Sequence, residues 1–147
     1  MIKMLYPEQK PKIKTEAGIE QIFCIIRKRW MVLTPEEWVR QNVLLSLIFI
    51  SKYPASLISV EKKIKLLELS KRFDIVVFDR MGNPYMLIEC KEMNVPLSEQ
   101  TLEQALRYNL QIQAPVFILC NGRHCIGFRK TDRGEVETLH EIPSFSP

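Results

Sequence analysis

Two apolar segments separated by a short turn constrain the fold of this chain more than any other part of its sequence. Residues 73–79 and 85–91 are rich in the β-branched, aromatic and other apolar residues that favour strands. Residues 80–84, between them, include a glycine, an asparagine and a proline, which are typical of turns. We therefore predict an antiparallel β-hairpin over residues 73–91.

The second strand of this hairpin ends with two charged residues, Glu89 and Lys91, on either side of Cys90. Side chains alternate between the two faces of a strand, so Glu89 and Lys91 share one face, whereas Cys90 points to the other. The residues around them on both strands are apolar. Charged groups in such surroundings are costly to bury unless a partner offsets their charge.

The pairing of the two strands decides whether Asp74, on the first strand, lies near those charges. If Asp79 pairs near Tyr85 across the turn, the antiparallel register places Asp74 opposite Cys90. We then expect the two acids and the lysine to converge at one end of the hairpin.

Two carboxylates and a lysine in this arrangement are typical of a divalent-cation site. Carboxylates about 4 Å apart repel each other by roughly 4 kcal/mol at an effective dielectric constant of about 20, and a bound cation removes that penalty. Mg²⁺, or Mn²⁺ in its place, would be held by the side chains of Asp74 and Glu89 and by the backbone carbonyl of Cys90. Lys91 would orient or deprotonate the attacking water and offset charge on the phosphate.

The clearest helix start lies upstream of the hairpin. Thr34 is a suitable N-cap, Pro35 suits the first helical position, and Glu37 completes a capping box. Leu33 and Trp38, on either side of the cap, fit a hydrophobic staple. The apolar residues that follow, up to the proline at position 54, predict a largely buried helix.

Apolar spacing predicts the other elements. Residues 21–26 fit either a strand or a helix, because periodicity alone does not decide between them. The clearer elements are strands at 57–64 and 116–120, a helix at 98–111 capped by Ser98, and a last strand that follows the turn Asn121-Gly122 and runs through Phe128. The order α-β-β-β-α-β-β predicts an α/β fold with a central mixed β-sheet flanked by helices.

A chain of 147 residues with 46% hydrophobic content is long enough for one domain with one core. We expect a single domain over residues 1–147, with its core over about 20–129. The ends, residues 1–14 and 143–147, are predicted to be loosely ordered, although a short edge strand around Ile13 also fits.

Composition limits the classes of protein. The net charge of +4 permits a polyanionic partner but does not by itself require one. The four cysteines show no CxxC spacing, which argues against a zinc site. The longest apolar run, residues 43–50, is far shorter than the roughly 20 residues of a membrane span, and the first residues lack the pattern of an export signal. We therefore predict a soluble, reduced, cytoplasmic chain without a membrane partner.

The segments around the two acids resemble those of known nucleases. Arg72-Phe73-Asp74-Ile75-Val76-Val77 and Leu87-Ile88-Glu89-Cys90-Lys91, with the acids 15 positions apart, are similar to the PD-(D/E)xK nuclease superfamily. More narrowly, Leu33-Thr34-Pro35-Glu36-Glu37-Trp38-Val39-Arg40-Gln41, Gln104-x-x-x-Tyr108-Asn109 and Asn121-Gly122 resemble the N-terminal nuclease domain of type I restriction enzyme R subunits. The chain departs from the superfamily name at Phe73, where a proline is expected, and its sequence contains no P-loop.

The resemblance implies a restriction-endonuclease-like core and Mg²⁺-dependent hydrolysis of phosphodiester bonds in DNA, in restriction, defence or DNA processing. It adds Glu37 to the catalytic residues and implies that Gln104 and Tyr108 contact nucleic acid beside the catalytic centre. At four-residue spacing the two lie on one helical face and can line a groove. The partners implied are DNA and motor or specificity subunits, and a homodimer would suit cutting of both strands.

Each assignment has a plainer alternative. The alternative for the protein as a whole is a catalytically silent module with a nuclease-like fold, which docks to nucleic acid or to a partner protein. For the residues, the alternatives are a surface salt-bridge cluster of Asp74, Glu89 and Lys91, a purely capping Glu37, a surface Gln104, a half-buried aromatic Tyr108, and solvated charge for Lys62, Lys63, Lys65, Lys71 and Arg72.

Overall fold

The main sheet is mixed, as the sequence predicts. The computed structural model describes residues 1–66, 69–98, 100, 101, 103, 104, 107 and 114–147. The strands are β1 (Ile2–Lys3), β2 (Ile13–Glu16), β3 (Ile19–Cys24), β4 (Arg29–Val32), β5 (Ile58–Leu66), β6 (Leu69–Phe78), β7 (Pro84–Cys90), β8 (Val116–Cys120), β9 (His124–Lys130) and β10 (Val136–Thr138). The main sheet has the order β1-β9-β8-β7-β6-β5, with β10 also on β9, and β7 and β8 are parallel while its other pairs are antiparallel.

The parallel pair β7–β8 requires a crossover, which the sequence predicts as a helix over residues 98–111. The described residues in that segment, Gln100, Thr101, Glu103, Gln104 and Arg107, are helical. The predicted cap is present, since the backbone N–H of Thr101 donates to Ser98 Oγ at 3.4 Å. The other residues of the predicted helix, Tyr108 among them, lie outside the described residues.

Helix α1 (Pro35–Phe49) begins where the sequence predicts, and a 3₁₀ turn (Ala55–Leu57) follows it. The N–H of Glu37 donates to Thr34 Oγ1 at 3.0 Å, which confirms the cap. The capping box also predicts that the Glu37 carboxylate accepts a hydrogen bond from the backbone N–H of Thr34. This prediction is wrong, because the carboxylate binds the side chains of Arg27 and Arg40 instead. A charge-assisted bond to a guanidinium is stronger than one to a neutral backbone N–H. No helix in the described part of the chain is long and apolar enough to cross a membrane.

The main sheet is buried on both faces, which is why its central strands are apolar at consecutive positions. Helix α1 packs Val43, Leu44 and Leu47 against Ile75 and Ile88 on one face. The opposite face buries a smaller cluster, formed by Phe73, Val76, Leu87, Ala114, Phe117 and Leu119.

The hairpin β6–β7 forms, but its register differs from the predicted one. The N–H of Asp79 bonds the carbonyl of Asn83 at 2.8 Å, so Asp79 does not pair near Tyr85. A bulge next to Phe78 then shifts the ladder, which ends with Ile75 opposite Ile88. The extra residue of a bulge changes the pairing of every residue beyond it.

A second sheet, β2-β3-β4, is absent from the predicted order of elements. The open choice for residues 21–26 is resolved in favour of strand β3. Strands β2 and β4 have only four residues each, and most of their side chains are at least partly exposed. Such strands are stabilised by their neighbours and carry little periodicity of their own.

The predicted loose order of both chain ends is wrong where those ends pack against the fold. Ile2 and Met4 are buried, β1 pairs with β9, and the hydroxyl of Tyr6 donates to the carbonyl of Gly122. At the other end, the N–H of Phe145 donates to the carbonyl of Ser51 at 2.8 Å. Long-range partners fix these segments, and no local sequence pattern reports them.

The prediction that all four cysteines are reduced also needs correction. Cys120 and Cys125 are direct partners on β8 and β9, with their Cα atoms 4.2 Å apart, and they form a disulfide. Cys24 and Cys90 are free and buried. Antiparallel pairing brings the two β8–β9 cysteines together across a turn of three residues, 121–123.

Candidate functional site

The candidate site lies where strands β6 and β7 separate. Their ladder ends at the pair Ile75 and Ile88, so Asp74 and Glu89 are the next residues beyond it. On the other side of β6, the ladder to β5 lacks a pair between Asp74 and Glu61, and Glu61 has a left-handed backbone with φ +55°. Asp74 is thus released from regular pairing with both neighbouring strands.

The carboxylate of Asp74 takes the place of the missing ladder contacts. Its Oδ2 accepts a hydrogen bond from the backbone N–H of Cys90 at 2.7 Å. Its Oδ1 accepts one from Arg40 Nη2 at 2.8 Å. Two charge-assisted bonds therefore fix Asp74 between β7 and helix α1.

Glu89 lies beside Asp74, and a side-chain hydrogen bond between the two carboxyl groups contributes to the raised pKa of Glu89. Its Oε1 is buried without a hydrogen-bond partner among the described residues, and Lys71 Nζ is 4.0 Å away from it. Burial, followed by the neighbouring Asp74 carboxylate, raises the pKa of Glu89 to about 8, although Lys71 and Lys91 oppose this shift. Near neutral pH and without a cation, Glu89 therefore retains a proton for much of the time.

Glu89 opens into a cleft that also contains Lys91. The cleft has a volume of about 100 Å³, and it is lined by Lys71, Glu89, Lys91, Thr101, Gln104, Phe117 and Leu119. The backbone N–H of Lys91 donates to the carbonyl of Cys120 on β8 at 2.8 Å, which fixes the start of the segment after β7. Of the two predicted nucleic-acid contacts, Gln104 lies in this cleft, whereas Tyr108 is outside the described residues.

Cys90 points away from the cleft, as alternation along the strand predicts. Its side chain belongs to the core cluster beneath α1 and is 1% exposed. Burial raises the pKa of its thiol well above the ordinary value. The thiol is therefore not a ligand in the cleft, and only the backbone of Cys90 can contribute to a site there.

Glu37 lies on the α1 side of Asp74 and not among the residues that line the cleft. Its Oε1 accepts hydrogen bonds from Arg27 at 2.7 Å and from Arg40 at 3.1 Å, and its Oε2 accepts one from Gln41 at 3.3 Å. Because Arg40 binds both Glu37 and Asp74, Glu37 is joined to the predicted metal ligand through one guanidinium.

The charges on the α1 side do not balance. Burial would lower the pKa of Arg40, but the Glu37 and Asp74 carboxylates raise it above the usual value, so Arg40 stays charged. Arg27 and Arg40 face a larger number of acids, namely Glu36, Glu37, Glu61 and Asp74. On the cleft side of Asp74 this excess is opposed by Lys71 and Lys91, whose positive charges act on Glu89.

Sequence reasoning missed four residues of this site, and two of them were detectable. Arg40 is a charged residue inside an apolar helical segment, a pattern that indicates a buried partner. Lys71 precedes Asp74 by three positions on the same strand, where solvated charge was the preferred interpretation. Arg27 and Glu61 have no comparable pattern, because only the packing of β3, β5 and α1 brings them together.

The residues present fit a divalent cation that is bound mainly by non-protein ligands. No group of three or more histidine, cysteine, aspartate or glutamate side chains in the described ranges is arranged to hold a metal. The site offers two adjacent carboxylates, one of them with a buried oxygen that lacks a hydrogen bond. Mg²⁺ typically takes one or two carboxylates together with waters and phosphate oxygens.

Comparison with known proteins assigns the chain to a family. The fold and the cleft define an α/β protein in which two adjacent acids and a lysine lie at the separated ends of two strands. The model of the family described as "Type I restriction enzyme R protein N terminus (HSDR_N)" matches residues 35–143. This range is most of the chain, and the protein belongs to that family.

The fold is similar to that of one solved crystal structure. A DUF820 protein from Anabaena variabilis ATCC 29413, described as a candidate nuclease, is 15% identical with a TM-score of 0.47, and the match covers 96% of this chain and 83% of that one. No curated protein matches the chain.

Proposed function

We propose that this protein is a metal-dependent nuclease that hydrolyses phosphodiester bonds in DNA. The observation that carries the proposal is the buried oxygen of Glu89, which lacks a hydrogen bond and lies beside Asp74 in the cleft of Lys91. A protein gains nothing in stability from two adjacent half-buried carboxylates, because their charges repel each other. Their placement is explained if they act together on a ligand. Membership of the restriction-enzyme R family supports the nuclease class.

The roles of the residues follow from their positions. Asp74 and Glu89 would hold Mg²⁺, or Mn²⁺, with the Cys90 carbonyl as a further ligand. The ion, when bound, supplies positive charge that stabilises the transition state of phosphoryl transfer. Lys91 presents an ammonium group to the same cleft, where it can orient a water molecule or offset phosphate charge. Gln104 offers an amide to the bound strand.

Glu37 is proposed as a positioning residue. It anchors Arg40, and Arg40 holds Oδ1 of Asp74. This arrangement leaves the second lone pairs of the Asp74 oxygens for another ligand. We therefore propose that Glu37 acts on catalysis only indirectly, by holding Arg40 and through it Asp74.

The family suggests the partners. As a member of a restriction-enzyme R family, the chain is proposed to bind DNA and to act with motor or specificity subunits in the cytoplasm. A homodimer would provide the second active site needed to cut both strands of a duplex.

The central experiment measures cleavage of supercoiled and linear DNA in EDTA, Mg²⁺ and Mn²⁺. Lys91→Ala should keep the wild-type melting temperature and lose at least about a hundredfold in cleavage rate, because it removes charge at the reacting phosphate. Lys52→Ala, an exposed lysine just beyond the C-terminal end of α1, is the matched control and should cut like wild type. Undiminished cutting by Lys91→Ala would reject the assigned role.

Metal binding can be measured without activity. Mg²⁺ or Mn²⁺ should raise the melting temperature at pH 8, since a ligand at about 100 times its Kd stabilises the folded state by about 2.7 kcal/mol. Glu89→Gln should abolish this shift because an amide cannot supply the anionic ligand. A shift that persists in Glu89→Gln would place the metal elsewhere.

A second candidate function is a nucleic-acid-binding module that does not hydrolyse its ligand. It is favoured by the two hydrogen bonds that Asp74 already makes to Arg40 and Cys90, with which a metal would have to share the carboxylate. Salt-dependent DNA binding with no cleavage in any divalent metal would support this function over the first.

A further inference from the structure

The outer face of the small sheet β2-β3-β4 carries a pair of aromatic rings. Ile22 and Cys24 on β3 are fully buried, and Phe23 between them points to the opposite face. Trp30 on β4 is the direct partner of Phe23, with the ring centroids 5.3 Å apart and the planes at 71°. Both rings are partly exposed, and we call the surface formed by Lys12, Lys14, Phe23 and Trp30 the aromatic face.

Lysines lie directly over these rings. Lys14 Nζ is 4.5 Å from the centroid of Trp30, and Lys12 Nζ is 5.9 Å from that of Phe23. Lys14 also pairs with the exposed carboxylate of Glu16 at 2.9 Å, a surface contact that a phosphate can replace. A cavity of about 120 Å³ adjoins Phe23 and is lined in part by Lys10 and Lys12. The face thus combines exposed π surface with positive charge.

The segment that carries the aromatic face is basic. Residues 10–32 contain six of the 21 basic residues and only two of the 17 acidic ones, so the rest of the chain has 15 of each. The segment therefore has a net charge of +4. A surface of this sign attracts a polyanion, and a neutral or basic partner would find no such complementarity.

The aromatic face is connected to the candidate active site. Arg27, in the turn between β3 and β4, reaches Glu37 at 2.7 Å, and the N–H of Ile25 donates to Gln41 on α1. The sheet also lies outside residues 35–143, which match the family model. It is a feature of this chain that the family match does not account for.

We propose that the aromatic face binds single-stranded nucleic acid. Unpaired bases stack on Trp30 and Phe23, and Lys10, Lys12 and Lys14 contact the phosphates. Aromatic side chains interleaved with basic ones form a general binding surface for single strands, because every base has a π face. Bases inside a duplex are already stacked and cannot use the rings, so the face favours single strands over duplexes. This binding does not depend on the proposed hydrolysis.

Binding is tested with the full chain in EDTA, so that no cleavage interferes. Fluorescence anisotropy of labelled oligo(dT), oligo(U) and a duplex of equal length gives the affinities, and quenching of tryptophan fluorescence reports stacking. Trp30→Ala should weaken single-strand binding about tenfold or more, since one stacked base contributes that much. Trp30→Phe should retain most of the affinity, and melting temperatures verify that each variant folds. DNA and RNA strands should both bind, because stacking and phosphate contacts are common to them.

The lysines supply a second, independent variant. Lys12→Gln with Lys14→Gln should weaken binding and reduce the dependence of log K on log salt by about 0.7 per lost phosphate contact. Lys52→Gln should change neither quantity.

The proposal is overturned if oligo(dT) does not bind up to roughly 100 µM protein at low salt. It is also overturned if folded Trp30→Ala binds like wild type, or if the duplex binds as tightly as the single strand. Cleavage measured separately with the Lys91→Ala variant keeps failure of this proposal distinct from failure of the nuclease function.

Discussion

The two sides of Asp74 contrast in how their acids are satisfied. On the α1 side, both oxygens of Glu37 accept hydrogen bonds, and the strongest of these come from buried or half-buried guanidinium groups. On the cleft side, Glu89 is half-buried, yet its Oε1 has no hydrogen bond among the described residues. Two glutamates of the same site thus have opposite environments.

The difference supports different proposed roles for the two glutamates. A buried carboxylate with full hydrogen bonding is held in place, and its removal leaves its cationic partners exposed to the cost of burial. A buried carboxylate without such partners keeps its proton or takes up a cation. Glu37 therefore stabilises the geometry of Asp74, whereas Glu89 remains available to a ligand.

The largest expected effect comes from exchanging each glutamate for glutamine in EDTA at pH 8. Glu37→Gln should lower the free energy of unfolding by about 3 kcal/mol, because Arg27 and Arg40 lose their shared carboxylate. Glu89→Gln should raise it by roughly 2 kcal/mol, because a neutral amide avoids the cost of burying a charge and the repulsion from Asp74. Urea denaturation measures both. Glu36→Gln, at an exposed acid 3.8 Å from Arg40, is the control and should change stability by less than about 1 kcal/mol. If Glu37→Gln and Glu89→Gln lowered the free energy of unfolding equally, the proposed difference between the two glutamates would be contradicted.

A medium effect is expected from pH. The folded-state pKa of Glu89, about 8, exceeds its usual value of 4.5, so the folded protein holds a proton that the unfolded chain has released between these values. Glu89 therefore contributes its full stabilisation below about pH 4.5, and this contribution to the free energy of unfolding is lost as pH rises through 8. Denaturation at pH 5, 7 and 9 should show this decline in wild type and a flatter profile in Glu89→Gln. A wild-type profile as flat as that of the variant would contradict the raised pKa of Glu89.

The smallest effect concerns Lys71, which lowers the pKa of Glu89. Lys71→Gln should raise that pKa further, so that more metal is needed to displace the proton at pH 7. We expect about a three- to tenfold loss of cleavage rate at limiting Mg²⁺, with recovery at pH 9. Lys63→Gln, an exposed lysine on the neighbouring strand β5, serves as the control. A loss that is independent of pH would indicate a contact to substrate instead.

Much of the fold could be predicted because its elements are encoded locally. The cap at Thr34, the strands of the hairpin and strand β8 all have patterns within a few residues, and all are present. The shared face of Glu89 and Lys91 follows from the two-residue period of a strand and needs no tertiary information.

Features that depend on distant residues were not predictable in this way. The bulge beside Phe78 moved the register by one residue, and Asp74 still reached its neighbours because its side chain bends to the N–H of Cys90. The buried positions of Ile2 and Met4 depend on strand β9, more than a hundred residues away in sequence.

The sequence by itself determined which groups are available to the site, two acids and a lysine on adjoining strands, since residue type and alternation are local properties. Only the tertiary structure decided the state of each group. Hydrogen bonding and burial depend on side chains brought in from α1, the turn after β3 and the crossover segment, so Arg40 could hold Asp74 while Glu89 was left without an equivalent partner.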